Sequence, residues 1–181
     1  RFRKCWGCWV WGSQRLISKF FYLRKGHNIV PFFYVNLWLT ETALGKSDIL
    51  KEINSKAHNT LMSTLSIEFT EIGKDFIVCK MPVNNKVYQP DGILHGGATA
   101  ALAETVGSVA SRYFINDDSV SVRGIEITTN HVRSISDGFV FAKATSIHLG
   151  RTMQIWQIKI TDEKNNLISM AKLTTLSIKK K

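Results

Sequence analysis

At 181 residues, 44% of them hydrophobic and 21% charged, the chain has the composition of a globular protein large enough for one well-cored domain. The formal net charge of +10 invites a nucleic-acid reading, but seven of the 24 Lys/Arg lie within residues 1–40, which hold no acidic group, so residues 41–181 set 17 basic against all 14 acidic residues. Three of those seventeen are the terminal Lys179, Lys180 and Lys181, so the body is nearly neutral, has no basic stripe, and gives no footprint for nucleic acid.

Residues 1–38 differ in composition from the rest, with 11 of the 19 aromatics and four of the five tryptophans. Within them QRLISKFFYLRK (14–25) is basic and apolar in a loosely amphipathic way. Three readings stay open: a targeting or membrane-surface segment, a structured addition, or an upstream stretch foreign to the natural mature chain. The expected core domain is 39–181. Cysteines occur at Cys5, Cys8 and Cys79; an odd count with one inside an apolar strand pattern argues against a disulfide framework and fits a reducing, cytoplasmic setting. The CxxC of Cys5 and Cys8 lacks a second ligand pair, so no metal site is expected. No apolar run reaches the ~18 residues of a membrane-spanning helix.

Ser47 followed by DILKEINSKAHNTL predicts a helix with an N-cap serine and apolar positions at Ile49, Leu50, Ile53 and Ala57. LSIEFTEIG (65–73) alternates as a half-buried strand, and a turn at Gly73-Lys74 leads into a second strand, DFIVCKMPV. After the loop NNKVYQPDG comes a long helix of small residues ending near Phe114. Four strand patterns follow, at 120–133, 139–148, 152–161 and 167–178, with turn signals between them. The expectation is α+β: one curved, largely antiparallel sheet around one central helix.

The long helix, HGGATAALAETVGSVAS (95–111), carries a single charge, Glu104, between Gly96 and Ser111. The plain reading is a solvated stripe. Against it, the helical neighbours Ala100, Ala101, Gly107 and Ser108 offer no cation and no further charge. At the helix start, His95-Gly96-Gly97 leaves backbone N–H groups open, at the positive end of the helix dipole, to a carbonyl oxygen gaining negative charge. A carboxylate can attack such a carbonyl or activate water against it. Gly96 and Glu104 lie eight residues apart, roughly 12 Å along a helix, too far to share one carbonyl. If both act at one site they come from two copies of the chain, and a dimer with two equivalent interfacial sites follows.

At these residues the chain resembles the hotdog-fold acyl-CoA thioesterases of the phenylacetate-pathway type. The likeness covers roughly residues 40–178 and is carried in order by QPDGILHGGATAALAET (89–105), GIEITTNHVRS (124–134), HLGRTMQIWQIKITDE (148–163) and LTTLSI (173–178). Within that family it runs most strongly to the branch acting on 1,4-dihydroxy-2-naphthoyl-CoA in menaquinone and phylloquinone synthesis, then to its proofreading relatives in enterobactin synthesis. The resemblance implies hydrolysis of an aromatic acyl-CoA without metal or redox cofactor, by a homodimer or dimer of dimers. It implies Glu104 as nucleophile or general base, the Gly96 N–H polarising the thioester carbonyl, and His95 and Gln89 holding thioester and water. Ser108 would lie beside Glu104 near the acyl ring or the water, and Thr105 in the acyl pocket. Gly124, the run His131, Val132, Arg133 and Ser134, and the run His148, Leu149, Gly150, Arg151, Thr152 and Met153 would line the path of coenzyme A. Asp91 replaces an aromatic residue and Thr105 a frequent serine of that family. Other readings are a hotdog dehydratase using His95 as acid/base, and a non-enzymatic acyl-CoA binder.

Overall fold

A computed structural model describes residues 9–11, 14–16, 21–25, 28–32 and 41–180, with side chains from residue 45 onward. The chain divides into two compact units, residues 1–47 and 48–181. In the first, β1 (Trp9–Trp11) pairs antiparallel with β2 (Gln14–Leu16), and β3 (Phe21–Lys25) with β4 (Asn28–Phe32). The CxxC of Cys5 and Cys8 lies outside the described residues.

The first helix, α1 (Glu41–Ser55), begins upstream of the expected start, so Ser47 is an interior helical residue and not an N-cap. Ile49, Leu50 and Ile53 pack on the core as the apolar spacing requires. The helix also stops earlier than expected. Asn59 takes a left-handed turn (φ 58), and Thr60 caps a separate short helix, α2 (Leu61–Thr64), by accepting from Met62 N. The Asn54 side chain then acts as a substitute strand partner, donating to Phe69 O at 3.0 Å and accepting from Phe69 N at 2.8 Å.

That Phe69 belongs to β5 (Glu68–Ile72), shorter than the expected 65–73 because Leu65 closes α2 and Ser66 is left-handed (φ 54). A bulge after Phe69 shifts the alternation, so Phe69 and Ile72 are both buried. In β6 (Phe76–Pro82) the alternation is unbroken, with Ile77, Cys79 and Met81 wholly buried. Burial pushes the Cys79 thiol well above its usual range, so it packs as a small apolar group.

The central helix α3 (Gly96–Ile115) runs from the His95 N-cap to Asn116, a left-handed C-cap (φ 46). Thr99, Leu102, Ala103, Val106, Gly107, Ala110 and Ser111 form its buried face at three- and four-residue spacing. Burying a side chain such as Leu102 contributes about 1.5–3 kcal/mol. Gly107 is small because it must be: a Cβ there would lie 2.5 Å from Leu173 Cδ2.

Four strands follow close to the expected positions: β7 (Val120–His131), β8 (Phe139–Leu149), β9 (Met153–Asp162) and β10 (Leu167–Lys179). All pairings in the six-stranded sheet are antiparallel, in the order β5-β6-β8-β9-β10-β7, and α3 packs across β6 to β10. Trp156, Ile158 and Ile160 of β9 meet Val140, Ala142 and Ala144 of β8 and Leu173 of β10 beneath the helix. This is the α+β plan expected from the strand spacings.

The strand after the helix, β7, crosses to the sheet edge, where among the described residues only β10 pairs with it. Opposite Thr174 and Thr175 it bulges at Ile125, which is 55% exposed. Strand alternation by itself would put Ile125 on the face of Ile127, Thr129 and His131. The bulge takes it out of that alternation, because one extra residue inverts the facing of everything before it.

Candidate active site

The loop into α3 is built to present its start. Tyr88 bridges Leu94, Gly92 N donates to Gln89 O at 3.0 Å, and Gly92 sits at φ 74, a conformation glycine adopts without strain. The half-buried Gln89 is thereby folded back beside the helix start, its amide donating to Asp91 Oδ2 at 3.2 Å. Asp91, the departure from the family pattern, therefore engages a residue expected at the thioester. The His95 N–H is held by Val87 O at 2.8 Å, and its ring Nδ1 accepts from Gly97 N at 2.8 Å. His95 is thus a helix cap whose remaining nitrogen, Nε2, is the one left for a ligand. Among the described residues, no group accepts from Gly96 N–H.

Against this open donor stands His131 at the end of β7. A Cβ on Gly96 would lie 2.8 Å from His131 Nε2, so the missing side chain is what admits the ring. His131 Nδ1 lies 3.3 Å from Ser169 Oγ, whose own proton goes to Asn130 O at 3.0 Å. With the Ser169 proton committed to Asn130 O, His131 Nδ1 is the donor of that contact and Nε2 faces the helix start. Beyond it, Val132 N and Arg133 N both donate to Ile168 O, at 2.9 and 3.2 Å. A cavity of about 340 Å³ opens here, and Gln89, Gly96, His131, Val132, Arg133 and Ser134 share its wall. Gln89 and the His131–Ser134 run thus meet Gly96 at one cavity, while Gly124 and the His148–Met153 run, expected on the same path as His131–Ser134, do not line it.

Glu104 is elsewhere. It is exposed on α3, pairs with no cation among the described residues, and lines neither this cavity nor the larger one described next. Its carboxylate lies over Gly124 of β7, where a Cβ would approach Glu104 Oε1 to 2.8 Å. Ser108 and Thr105 are half-buried on the same helix, and Thr105 returns its hydroxyl to Ala101 O at 2.7 Å. Within the single chain the carboxylate group of residues (Glu104, Ser108, Gly124) and the helix-start group are two separate clusters.

A third cluster forms at the far end of α3. The turn from β8 to β9 places Leu149, Gly150, Arg151 and Thr152 on a cavity of about 680 Å³, with Phe114, Ser177 and Lys179 on its other walls. His148 and Met153 flank that turn, both exposed. Gly150 is required here: its N–H donates to Met153 O at 3.0 Å, and a Cβ would come within 2.7 Å of that same oxygen. Among the described residues there is no group of three or more His, Cys, Asp or Glu able to hold a metal ion, and no helix is long and apolar enough to cross a membrane.

Sequence reasoning missed one set of polar residues: Ser111, Gln154, Trp156 and Thr175, all wholly buried and mutually hydrogen-bonded behind this turn. A signal for it was present, since Gln154 occupies an inward position of β9 in register with Trp156, Ile158 and Ile160.

The family model described as "Thioesterase superfamily" matches residues 91–169. The chain is 42% identical over 126 residues to the 1,4-dihydroxy-2-naphthoyl-CoA hydrolase of Escherichia coli K12, covering 70% of this chain and 92% of that protein. It is equally similar, 42% over 126 residues, to the proofreading thioesterase EntH of Cronobacter turicensis, covering 70% of this chain and 91% of that one. Among solved structures, a thioesterase of Haemophilus influenzae superposes with a TM-score of 0.70 at 42% identity, covering 72% of this chain and 90% of the other.

Proposed function

This chain belongs to the hotdog-fold thioesterase superfamily and is a thioester hydrolase, and we propose that it cleaves aromatic acyl-CoA thioesters at two sites shared between paired copies of itself. The observation that carries the reading is the spacing on α3. The open Gly96 N–H and the Glu104 carboxylate occupy one helix roughly 12 Å apart, and nothing in a single fold brings them together. A two-fold partner supplies what each lacks. The edge strand β7 offers the route, since its outer edge is unpaired in the sheet and it carries Gly124 beneath Glu104 at one point and His131 at its end. Antiparallel pairing of β7 with its own copy satisfies that edge and carries each Glu104 toward the other copy's helix start.

At such a site the thioester carbonyl oxygen accepts from Gly96 N–H, at the positive end of the helix dipole, with the Gln89 amide and His95 Nε2 beside it. Glu104 acts on the carbonyl carbon in one of two ways. It attacks directly, giving an acyl anhydride that water then opens, or it takes a proton from a water molecule that attacks. In both, the C–S bond breaks and the acid remains; the CoA thiolate takes the proton that Glu104 drew from water in the second route and a proton from solvent in the first. Ser108 and Thr105, on the same stretch of helix, face the acyl group. Gly124 and the run His131 to Ser134 line the approach. The run His148 to Met153 receives the distant nucleotide end, Arg151 offering a planar cation suited to phosphate.

For the acyl group we propose 1,4-dihydroxy-2-naphthoyl, which would place the enzyme in menaquinone synthesis in the cytoplasm. Its support is the likeness to the Escherichia coli hydrolase. The equal likeness to a proofreading thioesterase favours a second reading, in which other aryl- or acyl-carrier thioesters are the natural substrates. Free-thiol release across a panel of aromatic and aliphatic acyl-CoAs separates the two. The mechanism is tested by Glu104→Gln, for which kcat is expected to fall by about 10²–10⁴-fold on every substrate. Wild-type turnover in that variant overturns the role given to Glu104.

A further inference from the structure

The buried polar chain behind the β8–β9 turn has a single consistent set of donors. Trp156 Nε1 has only a donor and gives it to Ser111 Oγ at 2.6 Å. Thr175 Oγ1 gives its one proton to Gln154 Oε1 at 2.8 Å. The 2.7 Å contact between Ser111 and Thr175 is therefore donated by Ser111. Gln154 Nε2 closes the chain, donating to Gly150 O at 2.7 Å and to Ser177 Oγ at 3.2 Å. The direction runs from the sheet, through the helix, back to the sheet and out to the turn, with every proton used.

We infer that Gln154 is a positioning residue for substrate binding: through Gly150 O it holds the Gly150–Met153 turn, and with it Arg151, in the place that receives the nucleotide end of the acyl-CoA. The inference rests on the proposed path of coenzyme A through this turn. Three observations support it. Gln154, Ser111, Trp156 and Thr175 are inaccessible to solvent; Gln154 alone of the four borders the cavity of about 680 Å³, and its amide is committed to Gly150 O and Ser177 Oγ. The turn has few other anchors: Gly150 N to Met153 O at 3.0 Å, and Ser177 N to Thr152 O at 2.7 Å. Arg151 and Thr152 are exposed at the cavity and form no side-chain hydrogen bond or ion pair among the described residues, so their placement depends on the backbone. Glu104 and the helix start lie on other parts of the fold, so loosening the turn should leave the reacting centre intact.

The test compares steady-state hydrolysis of an aromatic acyl-CoA with that of the same acyl group on N-acetylcysteamine, which lacks the nucleotide. Gln154→Met keeps the volume and removes both the donor to Gly150 O and Ser177 Oγ and the acceptor for Thr175. It is expected to raise KM for the acyl-CoA about tenfold, as loss of the bond to Gly150 O would, with kcat held. The kinetic constants for the truncated thioester should not move. Thr175→Val should reproduce the effect and Thr175→Ser should restore it. Arg151→Ala reports on the path itself and should also raise KM for the acyl-CoA alone. If Arg151→Ala raises KM and Gln154→Met does not, the positioning role is overturned while the path stands. If neither raises it, the path falls and the inference with it. Equal losses on both substrates, or Thr175→Ser no better than Thr175→Val, would mean that the network serves stability only.

Discussion

Gly124 of β7 lies directly beneath Glu104 of α3, so close that a Cβ at position 124 would stand 2.8 Å from the carboxylate Oε1. The contact explains a glycine in the middle of an edge strand, where its lack of a side chain otherwise weakens the ladder. The absent side chain makes room for the one acidic group on the helix.

Gly124→Ala is accordingly expected to displace the carboxylate and lower kcat by about tenfold or more, since misplacing a reacting group by a fraction of an ångström is costly. Thermal unfolding should shift little, because alanine suits a strand at least as well as glycine. Full activity in the alanine variant would show that Glu104 can act from elsewhere.

Mixing two inactive proteins tests the shared site. Glu104→Gln and Gln89→Ala, co-refolded in equal amounts, should form hybrids in half of all dimers, each with one intact site. About a quarter of wild-type activity is then expected, by random pairing across a two-fold interface. If both residues served the same copy's site, the mixture would stay inactive.

The turn between β9 and β10 gives a prediction in pH. Asp162 accepts from the Asn166 side chain at 2.8 Å and from the backbone N–H groups of Asn166 and Lys164, at 2.8 and 2.9 Å. The Asn166 side-chain bond, joined by these backbone donors and nearby Arg133, holds the carboxyl below its ordinary range. A depressed carboxylate adds stability that is present above the unfolded value, about pH 4, and is lost as pH falls through the folded value. Urea midpoints measured from neutral pH downward should therefore drop in that window, and drop less steeply in Asp162→Asn. Parallel curves for the two proteins would mean the turn contributes nothing to acid sensitivity.

The sheet and central helix were legible in the sequence because their signals are local and periodic. Alternation such as Ile77, Cys79, Met81 and the three- to four-residue repeat of Leu102, Val106 and Ala110 are read directly from spacing. What was not legible depended on single backbone events. The left-handed Ser66 shortened β5, the bulge at Ile125 inverted part of β7, and the start of α1 lay six residues before the serine that looked like its cap. The site was legible in pieces. Gln89, Gly96 and the His131–Ser134 run meet at one cavity, and Glu104 sits over Gly124. The hydrogen-bonded set of Ser111, Gln154, Trp156 and Thr175 escaped notice because its members lie up to 64 positions apart and share no motif.

That set has a property beyond its geometry. An indole, two hydroxyls, an amide and a peptide carbonyl gain and lose no protons across the range in which proteins stay folded. The hydrogen-bonded support of the Gly150 turn is therefore blind to acidity.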